Sequence, residues 1–333
     1  MKKSLLALAV LGAFAGVASA QSSVTLFGIV DLNARYVKND GAARRVSLSQ
    51  DGLNSSRFGV RGTEDLGGGL KAGFWLEGAV NADTGTASAT KFWGRRSVVQ
   101  LIGGFGEVRL GRDYTPTFWN QTFYDAFGTV GLGDSLNVAQ LTSNTFVRAD
   151  NSISYFLPAG IGGLFGQVMV AAGEGVPEGK YVGGRVGFGA GPFEVAAAYG
   201  QQNTSSGDKH KTANVGGSYD FGVAKLMGYY NRDTLGNLKE NRYSISGVVP
   251  IGQGEIHAGY DRSKGQDNTT GTSNTISKFA VGYVYNLSKR TALYSNVARL
   301  SNGSLSAVSV GSAPAPTLGG KSTGAEFGVR HIF

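Results

Sequence analysis

The stretch VTLFGIVDLNARY, residues 24–36, decides the fold class because apolar and polar side chains take turns along it. Its even-numbered positions are apolar or small, whereas its odd-numbered positions include Asp31 and Arg35. Successive side chains of a β-strand point to opposite faces, so this period of two predicts a strand with one oily and one wet face. The pattern returns at residues 57–63 and 71–77. Each run is about ten residues long, the length that a tilted strand needs to cross a bilayer.

Short and long connections alternate between these runs. The short ones fall at residues 65–69, 103–106, 158–163, 189–192, 220–223, 250–254 and 286–290. The long polar ones fall at residues 38–54, 81–91, 114–148, 173–180, 202–211, 232–241, 263–275 and 301–322. Seven short turns and eight long loops imply sixteen strands. Because this arrangement is typical of bacterial outer-membrane barrels, the sequence predicts an all-β fold, a transmembrane antiparallel β-barrel of sixteen strands.

Such a sheet must close, because each unpaired backbone group in hydrocarbon costs several kcal/mol. Its outward face is then apolar and its inward face polar. Tyrosines near the predicted strand ends are expected to form an aromatic girdle at the lipid interfaces. They are Tyr36, Tyr155, Tyr181, Tyr199, Tyr219, Tyr230, Tyr260 and Tyr283. The inward parity is expected to be basic, with Arg35, Arg57, Arg61, Lys71, Arg109, Arg185, Lys225, Arg242 and Lys278 against Asp31, Glu77, Glu107, Glu194 and Glu255.

Composition supports the all-β prediction. The 333 residues include 53 glycines, 7 prolines, 41% hydrophobic residues and no cysteine. The chain is too rich in turn formers for a helical protein and too apolar for disorder. Without cysteine, it has neither a disulfide framework nor a thiol nucleophile.

The N-terminal segment has the features of a secretory signal peptide. Lys2 and Lys3 precede an apolar run that ends near Val17, and residues 18–20 form an A-x-A site. We expect residues 1–20 to be cleaved and residues 21–333 to form a single transmembrane barrel domain. Cleavage removes two lysines and lowers the formal net charge from +8 to +6. The mature chain has no apolar stretch of roughly 18 residues, so an inner-membrane helical protein is excluded.

Residues 114–148 interrupt the alternation. Structureless connections longer than roughly 15 residues are uncommon and usually functional, so this insert is expected to be folded. Residues 117–127 are rich in aromatic side chains and could form a short helix or turn. Trp119, Phe123 and Phe127 follow one another at spacings of four, which predicts that they face the barrel wall.

Three motifs resemble a known family. RGTEDLGGGLKAGFWLE at residues 61–77, GEVRLGRD at residues 106–113 and the terminal GVRHIF are similar to the trimeric general porins of Gram-negative bacteria, most of all to the anion-selective porins of β-proteobacteria. The resemblance covers the whole chain. It implies a homotrimer in the outer membrane, in contact with lipid and lipopolysaccharide, and a third loop folded into the lumen as a constriction. That loop is the insert at residues 114–148. The acidic Pro-Glu-Phe-Gly loop tip of enterobacterial members is replaced here by residues 131–135.

The resemblance also implies an anion-selective cluster of Arg57, Arg95 and Arg148 at the narrowest point, where small anionic solutes would pass. Arginine cannot deprotonate, so such a cluster holds a fixed positive potential. Strand parity alone turns Arg96 inward instead of Arg95, and either residue is a candidate. Glu77 is expected to order the arginines. Arg61 and Asp125 are further candidate partners at the constriction.

Other functional classes find little support. The chain has no G-x-S-x-G motif, and its histidines are His210 in a predicted loop, His257 in a strand and His331 on the lipid-facing parity. We therefore expect no enzyme activity, cofactor or metal. Basic residues are dispersed through strands without a reading helix, which argues against nucleic acid binding. The alternative function is a binding barrel, a receptor or adhesin that acts through its long surface loops.

Overall fold

The computed structural model describes residues 23–87, 90–143, 145–311 and 314–333. The predicted signal peptide, residues 1–20, lies outside the described residues. The strands are β1 (Ser23–Asn39), β2 (Arg45–Gln50), β3 (Arg57–Gly67), β4 (Leu70–Asn81), β5 (Thr86–Ala87), β6 (Arg96–Gly103), β7 (Gly106–Tyr114), β8 (Arg148–Phe156), β9 (Leu164–Ala171), β10 (Tyr181–Ala190), β11 (Phe193–Asn203), β12 (Lys209–Asp220), β13 (Lys225–Leu235), β14 (Leu238–Ile251), β15 (Gly254–Asp267), β16 (Ser273–Asn286), β17 (Thr291–Ser301) and β18 (Lys321–Ile332). All their pairings are antiparallel within the described residues.

The sheet closes into a barrel because β1 pairs with β18 along one edge and with β3 along the other. Two of the eighteen strands add no new position to the wall. β2 pairs with β1 beyond the point where β3 stops, so β2 and β3 share one position. β5 has only two residues and pairs with the end of β4. Sixteen positions remain, as the sequence predicts, and the fold class is confirmed.

The two faces of the wall have the predicted polarity. Val24 on the outward parity is 70% exposed, whereas Asp31 on the inward parity is fully buried. Most of the predicted girdle tyrosines are exposed, but the prediction is wrong for Tyr181, which is buried and whose hydroxyl lies 3.4 Å from that of Thr117 in the insert. Tyr181 begins β10 on the same parity as Arg185, which bonds to the insert, so its ring turns inward.

The seven short turns are confirmed, but three of the long loops differ from the prediction. Residues 232–241 do not form a long loop, because β13 continues to Leu235 and β14 starts again at Leu238. Residues 38–54 contain the strand β2, and residues 81–91 contain the two-residue strand β5. His210 also lies in a strand and not in a loop, and it pairs with Asp233 across the inner face. At the end of the barrel that carries the long loops, the strands extend beyond the lipid, and their outward side chains are polar there. The alternation of apolar and polar residues therefore ends before the strand does.

The insert between β7 and β8 is folded, as predicted. It contains the helix α1 (Pro116–Phe123) and a 3₁₀ helix (Ser135–Val138). No helix in the described ranges is long and apolar enough to cross a membrane. Wall groups from β11 to β14 bond to the insert. The contacts are Asn120 Nδ2 to the Ala196 carbonyl (3.1 Å), Asn214 Nδ2 to the Thr117 carbonyl (3.0 Å), Tyr229 hydroxyl to Ser135 Oγ (2.9 Å), and the Ala126 amide to Ser246 Oγ (2.9 Å).

The orientation predicted for the insert aromatics is wrong for two of three residues. Phe127 is buried against the wall, but Phe123 is 49% exposed and Trp119 is only partly covered. The wall contacts of α1 come instead from Asn120 and Gln121. Asn120 and Gln121 meet hydrogen-bonding groups of the wall, which satisfies polar atoms that burial would otherwise leave unpaired, whereas Trp119 and Phe123 stack on each other.

Candidate functional site

Glu77 on β4 brings two of the predicted arginines together. Its Oε1 accepts hydrogen bonds from Arg95 Nε at 2.6 Å and from Arg57 Nη1 at 3.3 Å. Its Oε2 accepts a bond from the Trp75 indole nitrogen at 3.0 Å. Arg57 begins β3, and Arg95 is the residue before β6, so the two strands that flank β4 deliver one guanidinium each to the same carboxylate. Glu77 is 3% exposed, and ordered donors on both oxygens hold it in place.

Tyr114, the last residue of β7, links the third arginine to this pair. Its hydroxyl accepts bonds from Arg95 Nη2 at 2.8 Å and from Arg148 Nη2 at 2.7 Å. The Arg148 guanidinium also lies over the Tyr114 ring, 4.2 Å from its centroid. Tyr114 and Arg148 are direct partners across β7 and β8. We refer to Arg57, Arg95 and Arg148 as the arginine cluster, which Glu77 and Tyr114 join into one bonded group. Sequence analysis did not identify Tyr114 as a site residue, and its position at the first residue of the insert was the available signal.

The sequence left Arg95 and Arg96 as alternative candidates, and in the structure both side chains point inward and line the cavity. β6 begins at Arg96, so Arg95 precedes the strand and strand parity does not govern it. Arg96 follows parity and is buried, with Nε 2.8 Å from Asp113 Oδ1 and its guanidinium 4.5 Å from the Trp75 ring centroid. Arg96 therefore pairs with Asp113, which also pairs with Arg109, whereas Arg95 shares Glu77 with Arg57.

The charge balance of the arginine cluster differs from that of the other wall cations. Within the described part of the chain, Glu77 is the one carboxylate in ion-pair contact with the cluster, and it pairs with Arg57 and Arg95 but not with Arg148. Two other wall cations have one carboxylate each, Arg35 with Glu326 at 2.8 Å and Lys278 with Asp261 at 3.3 Å, whereas Arg112 and Lys91 both pair with Asp150. The cluster thus keeps an excess of about two positive charges, since arginine stays ionised.

The cluster lines a cavity of about 480 Å³ between the wall and the insert. Trp119, Val130, Asp134 and Leu136 line the insert side of this cavity. Burial raises the pKa of Asp134 to about 7, and nearby Lys278 opposes that rise. With its pKa raised, this carboxyl offsets the arginines less than a fully ionised aspartate would.

Two other candidate residues lie outside this group. Arg61 is exposed, and its guanidinium lies 5.2 Å from the Phe27 ring centroid and 4.9 Å from that of Trp75. Asp125 accepts bonds from the backbone amides of Phe127 (2.9 Å), Thr129 (3.0 Å) and Ser135 (3.1 Å), so it folds a turn of the insert. Neither residue lines the arginine cavity. Across the described ranges, no group of three or more His, Asp or Glu side chains could hold a metal ion.

Comparison with known proteins identifies the barrel. Residues 7–305 match the family model of the Gram-negative porins. This chain belongs to the Gram-negative porin family. It is similar to outer membrane porin protein 32 of Delftia acidovorans, with 43% identity over the full length of both chains. It is also similar to an outer membrane porin protein of Bordetella pertussis, with 31% identity over 93% of this chain and 99% of the relative.

Solved structures give the same result. The anion-selective porin from Comamonas acidovorans matches with a TM-score of 0.86 and 40% identity, over 94% of this chain and all of that one. OmpF of Salmonella typhi matches with a TM-score of 0.71 at 16% identity, over 93% of this chain and 97% of that one, and this likeness concerns the fold alone. The porin is therefore an integral outer-membrane barrel and a diffusion channel rather than an enzyme.

Proposed function

We propose that this porin passes small anions in preference to cations, and that Arg57, Arg95 and Arg148 produce the preference. The observation that carries the proposal is that three guanidiniums beside the cavity have only one carboxylate among the described residues in ion-pair contact with them, Glu77, which pairs with Arg57 and Arg95. The similarity to a solved porin described as anion-selective supports it.

Position matters more than net charge for this selectivity. Charges on the outer surface are screened within roughly 8 Å at physiological ionic strength. A cluster beside a narrow passage is felt by each passing ion, because the distance to that ion is comparable to the screening length. The arginine cluster meets this condition, whereas charges on the loops and the outward face do not.

The cluster also offers donors to a passing anion. Arg57 bonds through Nε and Nη1, Arg95 through Nε and Nη2, and Arg148 through Nη2. Each guanidinium therefore retains one terminal nitrogen with no hydrogen bond to the described residues. An anion can exchange its hydration water for these donors without breaking the bonds that hold the arginines, which keeps binding weak enough for passage.

We further propose that the insert at residues 114–148 lies across the lumen and narrows it. Its bonds to inward-facing groups from β11 to β14 support this placement. Because the chain has no cysteine, a single introduced thiol tests it cleanly. Thiols at Asp134 or Asn137 should react more slowly with bulky impermeant reagents than a thiol at Gln266 on the loop side of β15. Equal rates would place the insert outside the lumen.

The assembly and processing of the chain are part of the same proposal. We propose that residues 1–20 are removed and that residues 21–333 form a homotrimer with small anionic solutes as its cargo. The family resemblance supports the number three. N-terminal sequencing of the purified protein should begin at Gln21. An unheated gel should show a slow band that collapses on heating, and a monomer in mild detergent would contradict the trimer.

The test of selectivity is the reversal potential of single channels in a KCl gradient. Replacement of each cluster arginine with glutamine keeps much of the bulk and removes one charge. The reversal potential should move stepwise toward the nonselective value, and the shift should shrink as salt rises because screening grows. Lys209→Gln and Lys264→Gln, at exposed strand positions, are matched controls. If the controls shift the potential as much, or if the triple variant remains fully anion-selective, the cluster is not the cause.

A further inference from the structure

Three aromatic rings form a continuous row beside the arginine cluster. Trp119 and Phe123, one helical turn apart on α1, stack with ring centroids 4.8 Å apart and planes 11° apart. Tyr114 continues the row, with its ring centroid 4.8 Å from that of Trp119. We call Tyr114, Trp119 and Phe123 the aromatic row. Tyr114 belongs to β7, whereas Trp119 and Phe123 belong to α1.

The aromatic row is not what fixes the helix to the wall. That role falls to polar side chains of α1, through bonds from Asn120 to the Ala196 carbonyl and from Arg242 to Gln121. Phe123 is left 49% exposed, and the Trp119 indole nitrogen has no partner among the described residues. Removal of apolar ring surface from water is favourable, so the half-exposed phenyl ring of Phe123 can pack against an apolar solute.

Each end of the aromatic row carries an arginine. The Arg148 guanidinium lies 4.2 Å from the Tyr114 centroid, and that of Arg185 lies 5.0 Å from the Phe123 centroid. Arg185 bonds to the Asn120 side chain and makes no ion pair within the described ranges. A stacking surface thus lies between two cations that have no carboxylate of their own.

We propose that the aromatic row and its two arginines form a binding site for aromatic carboxylates on their way through the channel. The carboxylate pairs with Arg148 or Arg185, and the ring of the solute stacks on Trp119 and Phe123 in the offset or edge geometry that aromatic pairs prefer. An aliphatic carboxylate can make the ionic contact but not the stacking contact. The inference rests on the proposed anion channel and names a class of solute for it.

Block of the chloride current in planar bilayers tests this site on the full porin. Benzoate is compared with cyclohexanecarboxylate, which has the same charge and a similar size but no aromatic ring. Benzoate should block at a concentration about threefold lower, the effect of one modest aromatic contact. Trp119→Leu and Phe123→Leu should each bring the ratio of the two blocking concentrations toward one. This ratio cancels changes in bore width, because both solutes experience them equally.

Two further variants sharpen the result. Arg185→Gln should raise the blocking concentration of both carboxylates and keep their ratio. Phe92→Leu, at a ring that is 63% exposed in the connection before β6 and packs against Trp93, should leave the ratio at its wild-type value. Equal block by the two carboxylates in the wild type, or a ratio that survives both leucine variants, would overturn the aromatic site. Chloride selectivity lost in the triple arginine variant would then show that the anion channel stands without it, whereas selectivity retained there would refute the channel proposal itself.

Discussion

Two groups of arginines on the inner face have opposite charge balances. On β3 to β8, the arginine cluster has one carboxylate in ion-pair contact among the described residues, Glu77, which pairs with Arg57 and Arg95. On β12 to β14, Arg242 is 1% exposed and lies 3.0 Å from Asp233 and 3.5 Å from Glu240, while His210 lies 3.1 Å from the same Asp233. We call Arg242, Asp233, Glu240 and His210 the Arg242 network. It has at least as many acids as permanent cations, so it presents no excess positive charge to the lumen.

The Arg242 network binds protein rather than solute. Glu240 accepts the backbone amides of Gln140 at 3.0 Å and Leu141 at 2.7 Å, and Arg242 donates to Gln121 on α1 at 3.0 Å. One side of the lumen therefore uses its charges to hold the insert, and the other side keeps the excess charge on which the proposed anion selectivity rests. The comparison teaches that the carboxylates around an arginine, more than the arginine itself, decide which role it takes.

The largest expected effect on stability comes from a substitution in the Arg242 network, which anchors the insert. Glu240→Ala leaves two backbone amides of the insert without their acceptor and removes one of two acids beside Arg242, so we expect a loss of about 3–5 kcal/mol in stability. The temperature at which the folded barrel denatures in detergent should fall, and the channel conductance should rise as the insert loosens. Glu255→Ala is the control, because Glu255 is 37% exposed in its contact with His257. Exposed pairs contribute only about 0–1 kcal/mol. Equal effects of the two variants would contradict the anchoring role.

The second effect concerns the shared acid of the arginine cluster. Glu77→Gln keeps an acceptor for Arg57 and Arg95 but removes the negative charge that partly offsets them. The reversal potential in a KCl gradient should move further toward chloride, with a stability cost of about 1–3 kcal/mol from weaker bonds to the arginines. Glu107→Gln is matched to it, since Glu107 pairs with Arg109 away from the cavity. A shift toward potassium in Glu77→Gln, or an equal shift in Glu107→Gln, would contradict the charge count.

The same contrast explains how much the sequence could predict. Lipid forces a period of two on any strand it touches, so the sixteen wall positions and the short turns followed from alternation. Where a strand extends beyond the lipid, as β13 does at Arg232, both of its faces are polar. The sequence pattern there could not distinguish a strand from a loop. The inner face is polar as well, so parity alone could not separate the arginine cluster from the Arg242 network. That separation depends on which carboxylates the register brings close, and only the family resemblance singled out Arg57, Arg95 and Arg148.

Tyr114 was missed for a related reason. A tyrosine at the end of a barrel strand is expected to belong to the interfacial girdle, yet this one turns inward and its hydroxyl accepts bonds from two arginines. Its role depends on the direct pairing of Tyr114 with Arg148 across a connection of more than thirty residues. No local pattern in the sequence contains that pairing.

The smallest effect is expected from Tyr114→Phe, and it separates charge from order within the arginine cluster. The ring under Arg148 remains, all three guanidiniums stay charged, and only the acceptor for Arg95 and Arg148 is lost. Two donors left partly unsatisfied should cost about 1–3 kcal/mol in stability, whereas the reversal potential should change less than in any single arginine variant. Tyr155→Phe, which removes an exposed bond to the Phe105 carbonyl, should cost less and is the matched control. If Tyr114→Phe abolished selectivity as fully as the triple glutamine variant, the positions of the guanidiniums and not their number would set the field. The comparison between the two sides of the lumen would then have to be restated in terms of geometry.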